Sequence, residues 1–148
     1  MRRSNLLLAL LLPLALASCG EPEDTRPGQP VAHRRAAFNK ILKAFEPLGV
    51  QLRDGRYDAD KFITQAKQLA ELKDGPWEYF AADTNYPPTR AKAAVWSEGE
   101  RFEKARQDFF QATAGLVAAT ESRDEAKVKR AYDAVHDSCR NCHKAFKD

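Results

Sequence analysis

Cys139-Arg140-Asn141-Cys142-His143 is the stretch of this chain whose residue types and spacing can carry chemistry. C-x-x-C-H is the attachment pattern of haem c. The two thiols add across the porphyrin vinyl groups as thioethers, and the imidazole one residue on reaches the iron. On a helix, positions 139, 142 and 143 share a face, so one flank can hold the porphyrin edge and ligate its centre. Two other chemistries use C-x-x-C. A thiol–disulfide redox pair stands at a helix start beside a strand, whereas this pair is predicted near a helix end with no strand nearby. Zinc needs further Cys or His ligands, and beyond the motif only His33 and His136 remain. Haem c, bound covalently and once, is the reading the motif favours.

The N-terminus supports it, because haem is attached outside the cytoplasm. Arg2 and Arg3 precede a 12-residue apolar run, Leu6 to Ala17, broken only by Pro13. A membrane span needs about 20 apolar residues, so this is the core of an export signal. The run ends in Leu16-Ala17-Ser18-Cys19, which resembles a lipobox, with residues 1–18 removed and Cys19 acylated. The other reading is an ordinary signal cut near Ala17, leaving Cys19 a spare thiol. Gly20, in place of the Asp linked to inner-membrane retention, favours the outer membrane. Residues 19–30, with three prolines among Glu21 to Pro30 and no hydrophobic side chain there, read as a tether. Residues 31–148 read as the folded domain. Once Arg2 and Arg3 are lost, 22 bases face 21 acids. That balance gives no electrostatic case for nucleic acid as a partner.

Helical periodicity runs through the remainder. The first segment, residues 31–53, puts Phe38, Ile41, Leu42, Phe45, Leu48 and Leu52 on one face, with Pro47 expected to kink or end it. The second, residues 59–73, follows an N-cap around Asp58 and stops at Asp74-Gly75-Pro76. An aromatic, proline-rich connection, residues 77–89, leads to a third segment over residues 90–120. Ser122 and Glu125 form a candidate capping box for a fourth over residues 124–146, with Val128, Ala131, Tyr132, Val135, Cys139, Cys142 and Phe146 inward. The expected fold class is all-α, an antiparallel four-helix bundle with haem on the C-terminal helix.

C-x-x-C-H at the end of such a chain resembles the cytochrome c-prime family. His33-Arg34 with Phe38 and Ile41 is similar to its first helix, and Gly75-Pro76-Trp77 with Ala94-Val95-Trp96-Ser97 to its middle. Asp137-Ser138-Cys139 through Phe146-Lys147 is similar to its ending, with Phe-Lys where the family usually has Tyr-Arg. The resemblance implies that His143 is the proximal ligand, that Phe38 stands at the distal position, and that Arg34 pairs with a haem propionate. It also implies a homodimer through the first two helices as one option, which the apolar pattern leaves open. Lys147, four residues after His143, would sit beside the proximal imidazole.

Sister cytochromes use a first-helix methionine as sixth ligand. The only methionine here is Met1, lost with the signal. Phe38 cannot ligate iron or hold a water by a hydrogen bond. The expected centre is five-coordinate under an apolar lid, open to small neutral diatomics, nitric oxide above all. Charged ligands would lose hydration with no partner. The function expected is gas binding on the periplasmic side of a bacterial membrane, by a protein that is not an enzyme. The alternative is an electron-transfer cytochrome with six-coordinate haem and a periplasmic redox partner. His33 lies off the Phe38 face, and His136 is two turns from His143.

Overall fold

The computed structural model describes residues 22–148; the signal segment and Cys19 lie outside the described residues. The helices are α1 (Pro30–Arg53), α2 (Ala59–Leu72), α3 (Ala94–Ser97), α4 (Gly99–Thr120) and α5 (Glu125–Phe146). Helices α1, α2, α4 and α5 make the expected antiparallel bundle, and α3 is a single turn leading into α4. α4 packs on α5, α1 on α2, and α2 on α4, whereas α1 and α5 touch only sparsely. Among the described residues, strand pairing is limited to one isolated bridge, Ala91 with Lys147.

The core is the product of the inward stripes. Leu48, Phe62, Ala66, Leu69, Leu116, Val128 and Val135 are fully buried. Two polar groups within it are satisfied locally. Thr113 Oγ1 donates to the Phe109 carbonyl at 2.8 Å. Gln51 donates to Gln65 Oε1 at 2.6 Å and accepts from the Asp58 N–H at 3.2 Å, tying α1 to the start of α2. Pro47 does not end α1, which continues to Arg53. Its ring removes one backbone donor, but Ala44, Phe45 and Leu48 on either side are buried in the same core and hold the axis.

Caps set the ends. Asp58 accepts from the Lys61 N–H at 3.0 Å to start α2, as expected. The α5 cap differs from the expected box. Asp124, not Ser122, accepts from the Lys127 N–H at 3.1 Å. Ser122 instead donates to the Ala119 carbonyl, closing α4. The third segment also starts later than residue 90. Lys92 N–H donates to the Phe146 carbonyl and Asp148 N–H to the Arg90 carbonyl, both at 2.9 Å. That backbone is thus committed to the end of α5 and cannot close helical turns.

The segment expected to be a free tether lies against the body from residue 22 on. Gln29 offers no side-chain cap to α1. The cap comes from Asp24, 1% exposed, which accepts from the N–H groups of Val31 at 2.8 Å and Ala32 at 3.2 Å. Tyr86 Oη donates to the same carboxylate at 3.0 Å. Burial alone would raise the Asp24 pKa, but the hydrogen bonds from Arg26, Ala32, Tyr86 and Val31 outweigh it and hold it below the usual value. A carboxylate with a depressed folded pKa stabilises the fold above its unfolded pKa and loses that contribution as pH falls. Asp24→Asn is therefore expected to lower stability at neutral pH and to flatten the acid limb below about pH 4. Urea unfolding of both proteins across that range checks it.

Candidate haem-binding seam

The antiparallel register of α1 on α5 is set at one end of their seam. The Phe45 ring lies flat on Tyr132, centroids 4.5 Å apart and planes 5° off parallel. Phe45 also stacks at 6.5 Å on His136. A Cβ added at Gly49 would collide with Tyr132 Oη, so the helices meet there at glycine distance. Phe38, Leu42, Phe45 and Gly49 form one stripe of α1, at spacings of four, three and four. Tyr132, His136, Cys139 and His143 form the matching stripe of α5. Continuing the register from Gly49 on Tyr132 and Phe45 on His136 sets Leu42 level with Cys139, and Phe38 level with Cys142 and His143.

The seam opens in that direction. Leu42, expected inside, is 51% exposed. It lies on the stripe whose neighbours Phe45 and Gly49 are buried against α5, so its exposure shows that α5 leaves the stripe uncovered beyond Phe45. His143 is exposed on the facing helix, while Cys139 and Cys142 are half-buried. A flat apolar macrocycle bonded at 139 and 142 would cover these surfaces.

The donor set fits haem c better than its rivals. Both cysteines are free thiols. Burial raises the Cys139 pKa, and burial with the neighbouring Cys139 pushes Cys142 up to about 11. Thiol–disulfide pairs and zinc sites need depressed thiolates; thiols that stay protonated suit thioether formation. No group of three or more His, Cys, Asp or Glu side chains converges as a metal site among the described residues. Partial desolvation on the helix face, then the positive charge of Lys147, lowers the His143 pKa. The imidazole is therefore neutral at pH 7, with a lone pair for iron. Lys147 is close enough to act on His143, as its position four residues on implied.

His33 stacks on Tyr79 at 5.2 Å, off the Phe38 stripe. Phe38 itself is half-buried, with its ring edge-on to Trp77 at 5.5 Å and to Phe80 at 6.3 Å. Those two rings belong to the long connection, and Arg34 holds that connection in place. Arg34, expected beside a propionate, faces the connection in this structure. The side chain is 4% exposed, and four of its five N–H hydrogens are spent on the connection. Nη1 donates to the Tyr79 carbonyl at 3.1 Å and to Thr84 Oγ1 at 3.0 Å. Nη2 donates to the Thr84 carbonyl at 3.1 Å and to Thr89 Oγ1. The guanidinium also lies 4.8 Å from the Phe80 ring centroid. A buried guanidinium must be met by acceptors, and the connection supplies them. Sequence reasoning missed Thr84, Thr89 and Asp24, whose partners are far along the chain and leave no local signal. It missed the seam as well, although the matching four-three spacings on both helices were there to read.

Arg34→Lys is expected to cost roughly 2–4 kcal/mol, since an ammonium cannot span four acceptors set for a planar fork. Urea unfolding gives the loss, and faster amide exchange over residues 84–89 would place it in the connection.

Residues 29–147 match the family model described as Cytochrome C'. Cytochrome c' of Halomonas halodenitrificans is 31% identical over 134 residues, covering 86% of this chain and 98% of that one. The structure of cytochrome c prime from Shewanella frigidimarina superposes with a TM-score of 0.78 at 30% identity, over 84% of this chain and 98% of that one. Two variants of cytochrome c prime from Alcaligenes xylosoxidans, one a nitric oxide complex and one with carbon monoxide bound, are each 26% identical with a TM-score of 0.77. They cover 85% of this chain and 99% of their own. This chain thus belongs to the cytochrome c' family of periplasmic haem proteins, which carry one covalent haem c and are not enzymes.

Proposed function

We propose that this protein is a lipid-anchored cytochrome c' that binds nitric oxide at the periplasmic surface of the membrane, the outer membrane in a two-membrane cell. The observation that carries the reading is the uncovered apolar stripe of α1 toward the cysteine end of α5, with Leu42 51% exposed and the Phe38 ring beyond it. Cys139 and Cys142 hold the haem, and its iron supplies the site where the gas bonds. His143 presents a neutral imidazole as proximal ligand, and the Lys147 cation disfavours its protonated form. Phe38 fills the distal side and excludes water. Trp77 and Phe80 brace its ring edge-on, and a small neutral ligand enters when the ring swings aside. Anions find no hydrogen-bond donor there to replace their hydration. The homologous nitric oxide and carbon monoxide complexes support the same ligand class. Anchoring rests on the Leu16-Ala17-Ser18-Cys19 pattern.

The test is the visible spectrum of the haem-loaded domain. The ferrous form is expected to be high-spin and to change on adding nitric oxide or carbon monoxide. A low-spin spectrum that neither gas moves would mean a sixth protein ligand and an electron-transfer role. Two edge contacts on Phe38 are worth about 0.5–1.5 kcal/mol each. Phe38→Ala should then speed carbon monoxide binding about tenfold or more, read by flash photolysis.

A further inference from the structure

The chain is fastened to the body well before α1 begins. The Pro22 carbonyl accepts from both Arg35 terminal nitrogens at 3.2 Å. Asp24 is buried under Tyr86 and the first turn of α1. The Arg26 guanidinium lies 3.8 Å from the Tyr86 ring centroid. Only three residue steps separate Cys19 from Pro22, a reach of at most about 11 Å when fully extended.

The place of fastening is specific. Tyr86, which holds Asp24, lies four residues before Arg90, and Arg90 to Lys92 pair with Phe146 to Asp148 at the end of α5. Residue 22 therefore leaves the bundle at the same end as Cys142, His143 and Phe38. The opposite end, with the turns at Asp54–Asp58 and Glu121–Asp124, lies the length of α1 away. Its 24 residues span about 36 Å. A leash of about 11 Å cannot turn that far end to the bilayer.

We propose that the end of the bundle carrying Cys142, His143 and Phe38 lies against the lipid headgroups, held there by the short leash from Cys19. This rests on the acylation of Cys19 proposed above. Charge is mixed at this end, with Arg90, Lys144 and Lys147 exposed beside Glu23, Glu78 and Asp83, so the leash and not a charged patch sets the placement. The consequence for the proposed function is direct. Neutral diatomic gases dissolve better in hydrocarbon than in water, and the open end of the seam would draw on that reservoir.

The experiment uses the full acylated, haem-loaded chain in vesicles of phosphatidylethanolamine and phosphatidylglycerol. With Cys19, Cys139 and Cys142 consumed, a spin label can be placed at Ala82→Cys on the near end or Glu121→Cys on the far end. Both positions are exposed. Collision with a nickel-chelating headgroup, taken as the difference with and without nickel, should be several-fold greater at 82 than at 121. A long Gly/Ser spacer inserted after Cys19 should abolish that difference while flotation with vesicles is kept. Equal or reversed rates in protein that floats would overturn the orientation alone. A difference that survives the spacer would overturn the leash as its cause. Protein that fails to float would overturn the acyl anchor and the orientation with it.

Discussion

The stack of Phe45 on Tyr132 is the contact on which the rest of the site depends. It brings α1 and α5 together at Gly49, where no larger residue fits without moving the Tyr132 ring stacked on Phe45. From that point the two helices run antiparallel with matched stripes, and the register leaves no freedom in what faces what. By that register Leu42 lies level with Cys139, and Phe38 with Cys142 and His143. Helix packing is usually closed along its length by interdigitating side chains. Here it is closed at one end only, and Leu42 at 51% exposure shows where protein packing stops. The same contact that pins the helices leaves the apolar stripe of α1 uncovered toward the attachment cysteines.

The distal wall depends on a second constraint, the burial of a charge. Arg34 sits one turn before Phe38 on α1 and is 4% exposed. Burial lowers its pKa, with Tyr86 and Asp24 acting against that shift. Its acceptors are gathered by the connection between α2 and α3, which folds over it through Tyr79, Thr84 and Thr89. That fold presents Trp77 and Phe80 to the Phe38 ring. Trp96 Nε1 donates to the Ala81 carbonyl at 2.9 Å, holding the connection from the α3 side. A charge-centred anchor thus braces an apolar lid.

Much of this was legible in the sequence. The bundle follows from four amphipathic periodicities, which packing reinforces over three or more turns and which no local exception overrides. The C-x-x-C-H motif is local in sequence and so is its chemistry. What escaped depends on partners distant along the chain. The seam follows from how two helices align, which neither stripe states alone, and so Leu42 read as core. Asp24 caps α1 from outside it and anchors to Tyr86, 62 residues on, so its segment read as tether. The acceptors that hold Arg34 lie 45 to 55 residues away, so its part in bracing the connection left no local signal. The late start of α4 and the shift of the α5 cap from Ser122 to Asp124 are smaller cases of the same kind. There the neighbouring backbone took the hydrogen bonds that local reasoning had assigned elsewhere.

The central claim is that His143 and Phe38 stand on opposite faces of one haem held in the α1–α5 seam. A crystal structure of the ferrous haem-loaded domain tests it most directly. The account predicts thioether bonds to Cys139 and Cys142, a single protein ligand from His143, and the Phe38 ring over the opposite face of the iron with no water beneath it. A second protein ligand on the iron, or a Phe38 ring turned away with a polar group in its place, would contradict it.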